Sequence, residues 1–222
     1  MTGRSTRAEI VAAIEASGVV AVVRLNDASV GGEVARALAA GGVKAIEVTM
    51  TVPNAVRLIE ELCATLPADV IVGAGTVLDA ETARRVIQAG ARFVVGPVFR
   101  PDVIAMGHQH DVPVMPGCFT PTEILDAWEA GADIVKVFPA TALGPGFFKD
   151  MRGPLPQVRL MPTGGVTREN AGAWIRAGAV AIGVGTALVD PRGVADRRFE
   201  VITEGARHFV DAVRQARAEA SG

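Results

Sequence analysis

The chain has 222 residues, 50% hydrophobic and 21% charged, which excludes disorder and supplies one ordinary domain with enough apolar side chain for a buried core. Its 22 basic and 24 acidic side chains leave a formal net charge of -2, so no basic field exists to hold nucleic acid, and any bound phosphate must be held locally. Cys63 and Cys118 form no C-x-x-C pair or Cys/His cluster with His108, His110 and His208, which argues against a disulfide scaffold and a structural zinc site.

The first predicted element is a helix entered at Thr6, with Glu9 completing a capping box, and stopped by Gly18. Short Val/Ile-rich runs then alternate with longer amphipathic stretches. The runs cover 18–24, 43–49, 69–75, 92–97, 112–117, 133–139, 158–165 and 179–185. Each is almost continuously apolar rather than alternating, as parallel strands covered on both faces should be. Asp79 and Thr167 are predicted N-caps, and Thr120-Pro121-Thr122-Glu123 is a capping box with Pro at the first helical position. His108 and His110 read as solvated residues at the end of a surface helix. No apolar run is as long as a membrane span of about 18–20 residues, and the opening stretch has no signal region, so the expected setting is cytoplasmic. The pattern predicts a single α/β domain over 1–222, a (β/α)8 TIM barrel with an extra N-terminal helix. The competing architecture is an open doubly wound sheet.

In a barrel, chemistry sits at the carboxyl ends of the strands, and three charged residues end otherwise apolar runs: Arg24, Glu47 and Lys136. Lys136 is one of three lysines against 19 arginines. Where a cation alone is needed, arginine serves; an amine that desolvation leaves neutral can attack a carbonyl carbon. From spacing alone, Lys136 is either such a nucleophile or the buried ionic partner of Glu47. Glu47 is the candidate acid/base, and Arg24 offers a planar fork matching a carboxylate or a salt bridge at the rim. Gly164-Gly165 after the seventh run and Gly185-Thr186 after the eighth present bare backbone where barrels often bind phosphate. Gly73-Ala74-Gly75-Thr76 is a similar small-residue loop and lacks the third glycine of a dinucleotide fingerprint.

Together, Val22-Val23-Arg24, Gly41-Gly42-Val43, Glu47-Val48-Thr49, Gly73-Ala74-Gly75-Thr76-Val77, Met115-Pro116-Gly117, Lys136-Val137-Phe138-Pro139 and Pro162-Thr163-Gly164-Gly165-Val166 span nearly the whole length. In these the chain resembles the bacterial 2-dehydro-3-deoxy-6-phosphogluconate aldolase and 4-hydroxy-2-oxoglutarate aldolase family, class I enzymes on a (β/α)8 barrel. The resemblance implies that Lys136 forms the imine, Glu47 moves protons, and Arg24 with Thr76 holds the pyruvate carboxylate. It implies that Pro97, Phe138 and Thr163 line the pocket, and that Gly164, Gly165, Gly185 and Thr186 hold phosphate. It further implies pyruvate and a 2-keto-3-deoxy sugar acid phosphate as reactants, no metal or organic cofactor, no nucleic-acid or membrane partner, and a homotrimer. Two positions depart from the family pattern: Thr51 stands where some relatives have arginine, and Gly96 where serine is common. The alternatives are a 6-phosphogalactonate-specific aldolase, a phosphosugar isomerase, a thiamine phosphate synthase-like transferase, and a non-catalytic phosphate-sensing module.

Overall fold

The structure, a computed structural model, describes residues 5–221. It begins with helix α1 (Arg7–Ser17), capped by the reciprocal bonds of Thr6 and Glu9 and closed by Gly18, whose N–H donates to the Ile14 carbonyl. There follow β1 (Val19–Val23), α2 (Gly31–Ala40), β2 (Ala45–Thr49), α3 (Ala55–Thr65), β3 (Ile71–Gly75), α4 (Ala80–Gln88), β4 (Val94–Val95) and α5 (Pro101–Gln109). The second half runs through β5 (Val114–Met115), β6 (Gly117–Cys118), α6 (Pro121–Glu129), β7 (Val135–Val137), α7 (Gly144–Arg152), β8 (Leu160–Pro162), α8 (Ala171–Arg176), β9 (Ile182–Val184), α9 (Pro191–Ala195) and α10 (Phe199–Ser221).

The fold is α/β with a curled sheet in which every named strand pair is parallel. One sheet has the order β5-β4-β3-β2-β1-β9 and the other β6-β7-β8. The predicted run 112–117 is therefore divided, with Pro116 as the seam. Proline has no N–H to give a ladder, but the Pro116 carbonyl accepts from Lys136 N–H at 2.9 Å. A parallel bridge between Thr163 and Gly183 links β8 to β9.

Two apolar layers result. The outer one lies between strands and helices and holds large buried side chains such as Leu38, Ile59, Phe148, Trp174 and Phe209. The inner one joins Val20, Ala45, Ile71, Phe93, Met115, Ile134, Met161 and Ala181 from the successive strand runs to Ile10, Val11 and Ile14 of α1. Burial of those three α1 side chains stabilises by roughly 1.5–3 kcal/mol each, which anchors α1 to the inner layer despite its weak amphipathicity.

Asp79 and Thr120 cap α4 and α6 as the spacing predicts. Thr167 does not cap: α8 starts at Ala171, and the Thr167 N–H donates to the Asn170 side chain, whose amide in turn donates to the Gly165 carbonyl. The capping chemistry is spent on the glycine loop instead. Nor is His108 a solvated residue. Its ring abuts Gly131, with Nε2 3.7 Å from Asp133, a carboxylate also engaged by Arg7 and by the Val114 N–H.

Candidate active site

Parallel pairing sets the carboxyl ends of all strands at one end of the molecule, and register decides which side chains meet there. Val22 pairs with Glu47 and Glu47 with Gly73, while Gly117 pairs with Lys136 and Lys136 with Met161. Period-2 alternation then turns Glu47 and Lys136 to the face that carries Val20, Ile134 and Met161. Glu47 is 1% exposed and Lys136 5%.

Among the described residues neither Glu47 carboxylate oxygen has a hydrogen-bond partner. Burial pushes the Glu47 carboxyl above its ordinary value, and the positive charges of Lys136 and then Arg24 pull it partly back. Among the described residues Lys136 forms no salt bridge. Its Nζ lies 4.9 Å from the centre of the Phe138 ring, so the amine rests against an aromatic face while sensing the carboxylate. Charge attraction without a closed ion pair leaves both groups available to a third reactant. Arg24, exposed at the end of β1, supplies the second positive charge.

The other predicted residues follow the carboxyl ends of their strands. Thr76 follows β3 with φ 60, a conformation rarely adopted by a β-branched residue. Thr163 is 7% exposed, and its Oγ1 has no partner. Pro97 and Phe138 are half-buried, with the Pro97 backbone packed on Gly117. Gly164 and Gly165 both take positive φ, 88 and 72, and lie against Thr141. A side chain on Gly185 would meet no atom within 4 Å, so that backbone faces open space. Thr186 and Arg24 together line a cavity of about 390 Å³ that adjoins the site and is not lined by Lys136 or Glu47.

Sequence reasoning missed three contributors. Gly75 leaves the room that Glu47 fills, Gly183 does the same for Thr163, and Thr141 braces the glycine loop. The available signal was glycine on the strand facing a bulky inward residue.

The KDPG and KHG aldolase family matches residues 10–204. The chain belongs to that family. This aldolase is thus a carbon–carbon lyase. It is 37% identical to the 2-dehydro-3-deoxy-phosphogluconate aldolase of Treponema pallidum over 86% of this chain and 91% of that one. It is 34% identical to the 2-dehydro-3-deoxy-6-phosphogalactonate aldolase of Escherichia coli, with 79% and 84% covered. A KDPG aldolase from Legionella pneumophila, solved with pyruvate captured at low pH as a covalent carbinolamine intermediate, superposes with a TM-score of 0.82. That protein is 30% identical, and the match covers 89% of this chain and 96% of the other.

Proposed function

We propose that this aldolase cleaves 2-dehydro-3-deoxy-6-phosphogluconate reversibly to pyruvate and glyceraldehyde 3-phosphate through an imine on Lys136. The observation that carries the reading is a buried lysine and a buried carboxylate that attract one another without forming a salt bridge. The Lys136 ammonium gives up its proton to solvent, the free amine adds to the C2 ketone, and loss of water from the carbinolamine gives the iminium. Glu47, through a water, takes the C4 hydroxyl proton as the C3–C4 bond breaks, and the bond's electron pair passes into the iminium to form an enamine. The aldehyde departs, C3 is reprotonated, and water releases pyruvate. No metal or organic cofactor is needed, because the iminium is the electron sink.

Arg24 and Thr76 hold the carboxylate, Pro97, Phe138 and Thr163 shape the pocket, and Gly164, Gly165, Gly185 and Thr186 receive the phosphate on bare N–H groups. Phosphate contacts remote from the reacting carbons position C4 for cleavage. The same apparatus accepts 4-hydroxy-2-oxoglutarate, giving pyruvate and glyoxylate. The galactonate epimer is the second reading, favoured by the 34% identity to the E. coli enzyme.

The reaction takes place in a closed (β/α)8 barrel, with α1 as an additional N-terminal helix; the Pro116 seam and the Thr163–Gly183 bridge support closure. The protein works as a cytoplasmic homotrimer, a reading supported by the exposed apolar side chains Leu78, Val98, Phe119 and Val201. The test of function is borohydride reduction with pyruvate followed by peptide mass analysis. An adduct on Lys136 is expected, and its absence defeats the proposal.

A further inference from the structure

Two hydroxyls next to this site have no part in the mechanism above. Thr49 is fully buried at the end of β2 and, two residues beyond Glu47, shares its face. Its Oγ1 donates to the Val23 carbonyl at 3.2 Å and lies 2.7 Å from Oγ1 of Thr51. A hydroxyl has one proton to give. With that of Thr49 committed to Val23, the second bond runs from the Thr51 hydroxyl to Thr49. Two hydroxyls in series therefore end on the carbonyl that immediately precedes Arg24.

Arg24 needs such support. Strand β1 stops at Val23, so ladder pairing does not extend to Arg24, and among the described residues no salt bridge holds its guanidinium. The Val22–Glu47 pairing, continued by two residues, sets Arg24 level with Thr49. Thr51 turns its hydroxyl back on Thr49.

We propose that the Thr51–Thr49 hydroxyl pair is a positioning device, which fixes the Val23–Arg24 backbone against β2 and so sets where the Arg24 guanidinium meets the substrate carboxylate and Glu47. The inference rests on the aldolase reading and assigns Thr49 and Thr51 no contact with the reacting atoms. Through it, the end of β2 governs a charge carried by β1. Arg24 is thereby held from the neighbouring strand.

The test replaces Thr49 by Val, which keeps size and branching and removes the hydroxyl. In Thr49→Val the KM for the phosphorylated keto acid is expected to rise about three- to tenfold. The acid limb of kcat/KM against pH is expected to move to higher pH, because Glu47 loses part of the attraction that favours its ionised form. Thr49→Ser restores both. Thr51→Val, at an exposed position, shifts both in the same direction by less, and it carries the test if Thr49→Val does not fold. A lowered melting temperature with KM and acid limb unmoved reduces the pair to a structural role and overturns the proposal, as does no change at all. Wild-type protein that forms no pyruvate adduct on Lys136 overturns the aldolase reading itself, a failure seen before any variant is made.

Discussion

Gly75 and Glu47 compete for one volume: a side chain on Gly75 would overlap the Glu47 carboxylate. Strand β3 presents bare backbone there, and the carboxylate of β2 lies over it with no hydrogen bond from the described residues. The placement of the acid/base thus depends on an absence in the adjacent strand.

Gly75→Ala consequently displaces the carboxylate. Gly75 has no positive φ, so alanine suits the backbone, and the effect falls on Glu47. A misplacement of about 1 Å costs on the order of a hundredfold in kcat, while the pyruvate adduct at Lys136 still forms. Turnover within threefold of wild type would contradict this account of Glu47.

Lys136→Arg keeps a positive charge and removes the amine proposed to form the imine. Loss of kcat on the order of a thousandfold or more is expected, together with complete loss of borohydride-trapped pyruvate. A coupled assay for the released aldehyde measures the first and mass analysis the second. Substantial cleavage by the variant would show that the positive charge suffices.

Thr76 supports a backbone conformation that suits asparagine better than a β-branched residue. Thr76→Asn is expected to relieve about 1 kcal/mol of strain, raising the melting temperature by about 2–4 °C. The same variant loses the hydroxyl proposed to meet the pyruvate carboxylate, so KM is expected to rise. Thermal melts and steady-state kinetics on one preparation read both; an unchanged KM would remove Thr76 from the site.

The pH dependence of folding offers a separate check on Glu47, whose carboxyl burial pushes above the ordinary 4.5. A raised folded value means that the native state binds more protons than the unfolded chain between the two values. Stability is therefore full below the unfolded value and falls as pH rises through the folded one. Glu47→Gln abolishes that decline. The pH dependence of the denaturant midpoint across this window should lose the Glu47 share of the decline in the variant, so that the two curves diverge as pH rises, whereas parallel curves would place the carboxylate in a more solvated setting.

The strands were legible because a sheet covered on both faces leaves nearly continuous apolar runs, and Glu47 and Lys136 stood out as charges that such runs rarely tolerate. The helix entries at Thr6 and Thr120 were equally local matters. What escaped depends on neighbours far along the chain. Pro116 divides a run because different partners sit on its two sides, Asn170 spends its amide on Gly165 rather than on the Thr167 cap geometry, and His108 is drawn to Asp133. The room beside Gly75 and the bond from Thr49 to Val23 lie between strands. Their meaning arises only once β1, β2 and β3 lie side by side.

Helix α1 brings Ile10, Val11 and Ile14 into the inner layer and ends at Ser17, just ahead of the amino end of β1. In the closed barrel proposed above, that helix makes the reaction chamber a blind well with one doorway for reactants and both products. In the proposed reaction, pyruvate tethered to Lys136 waits at the bottom while the aldehyde leaves, so the order of departure is dictated by which fragment is bonded and which is free.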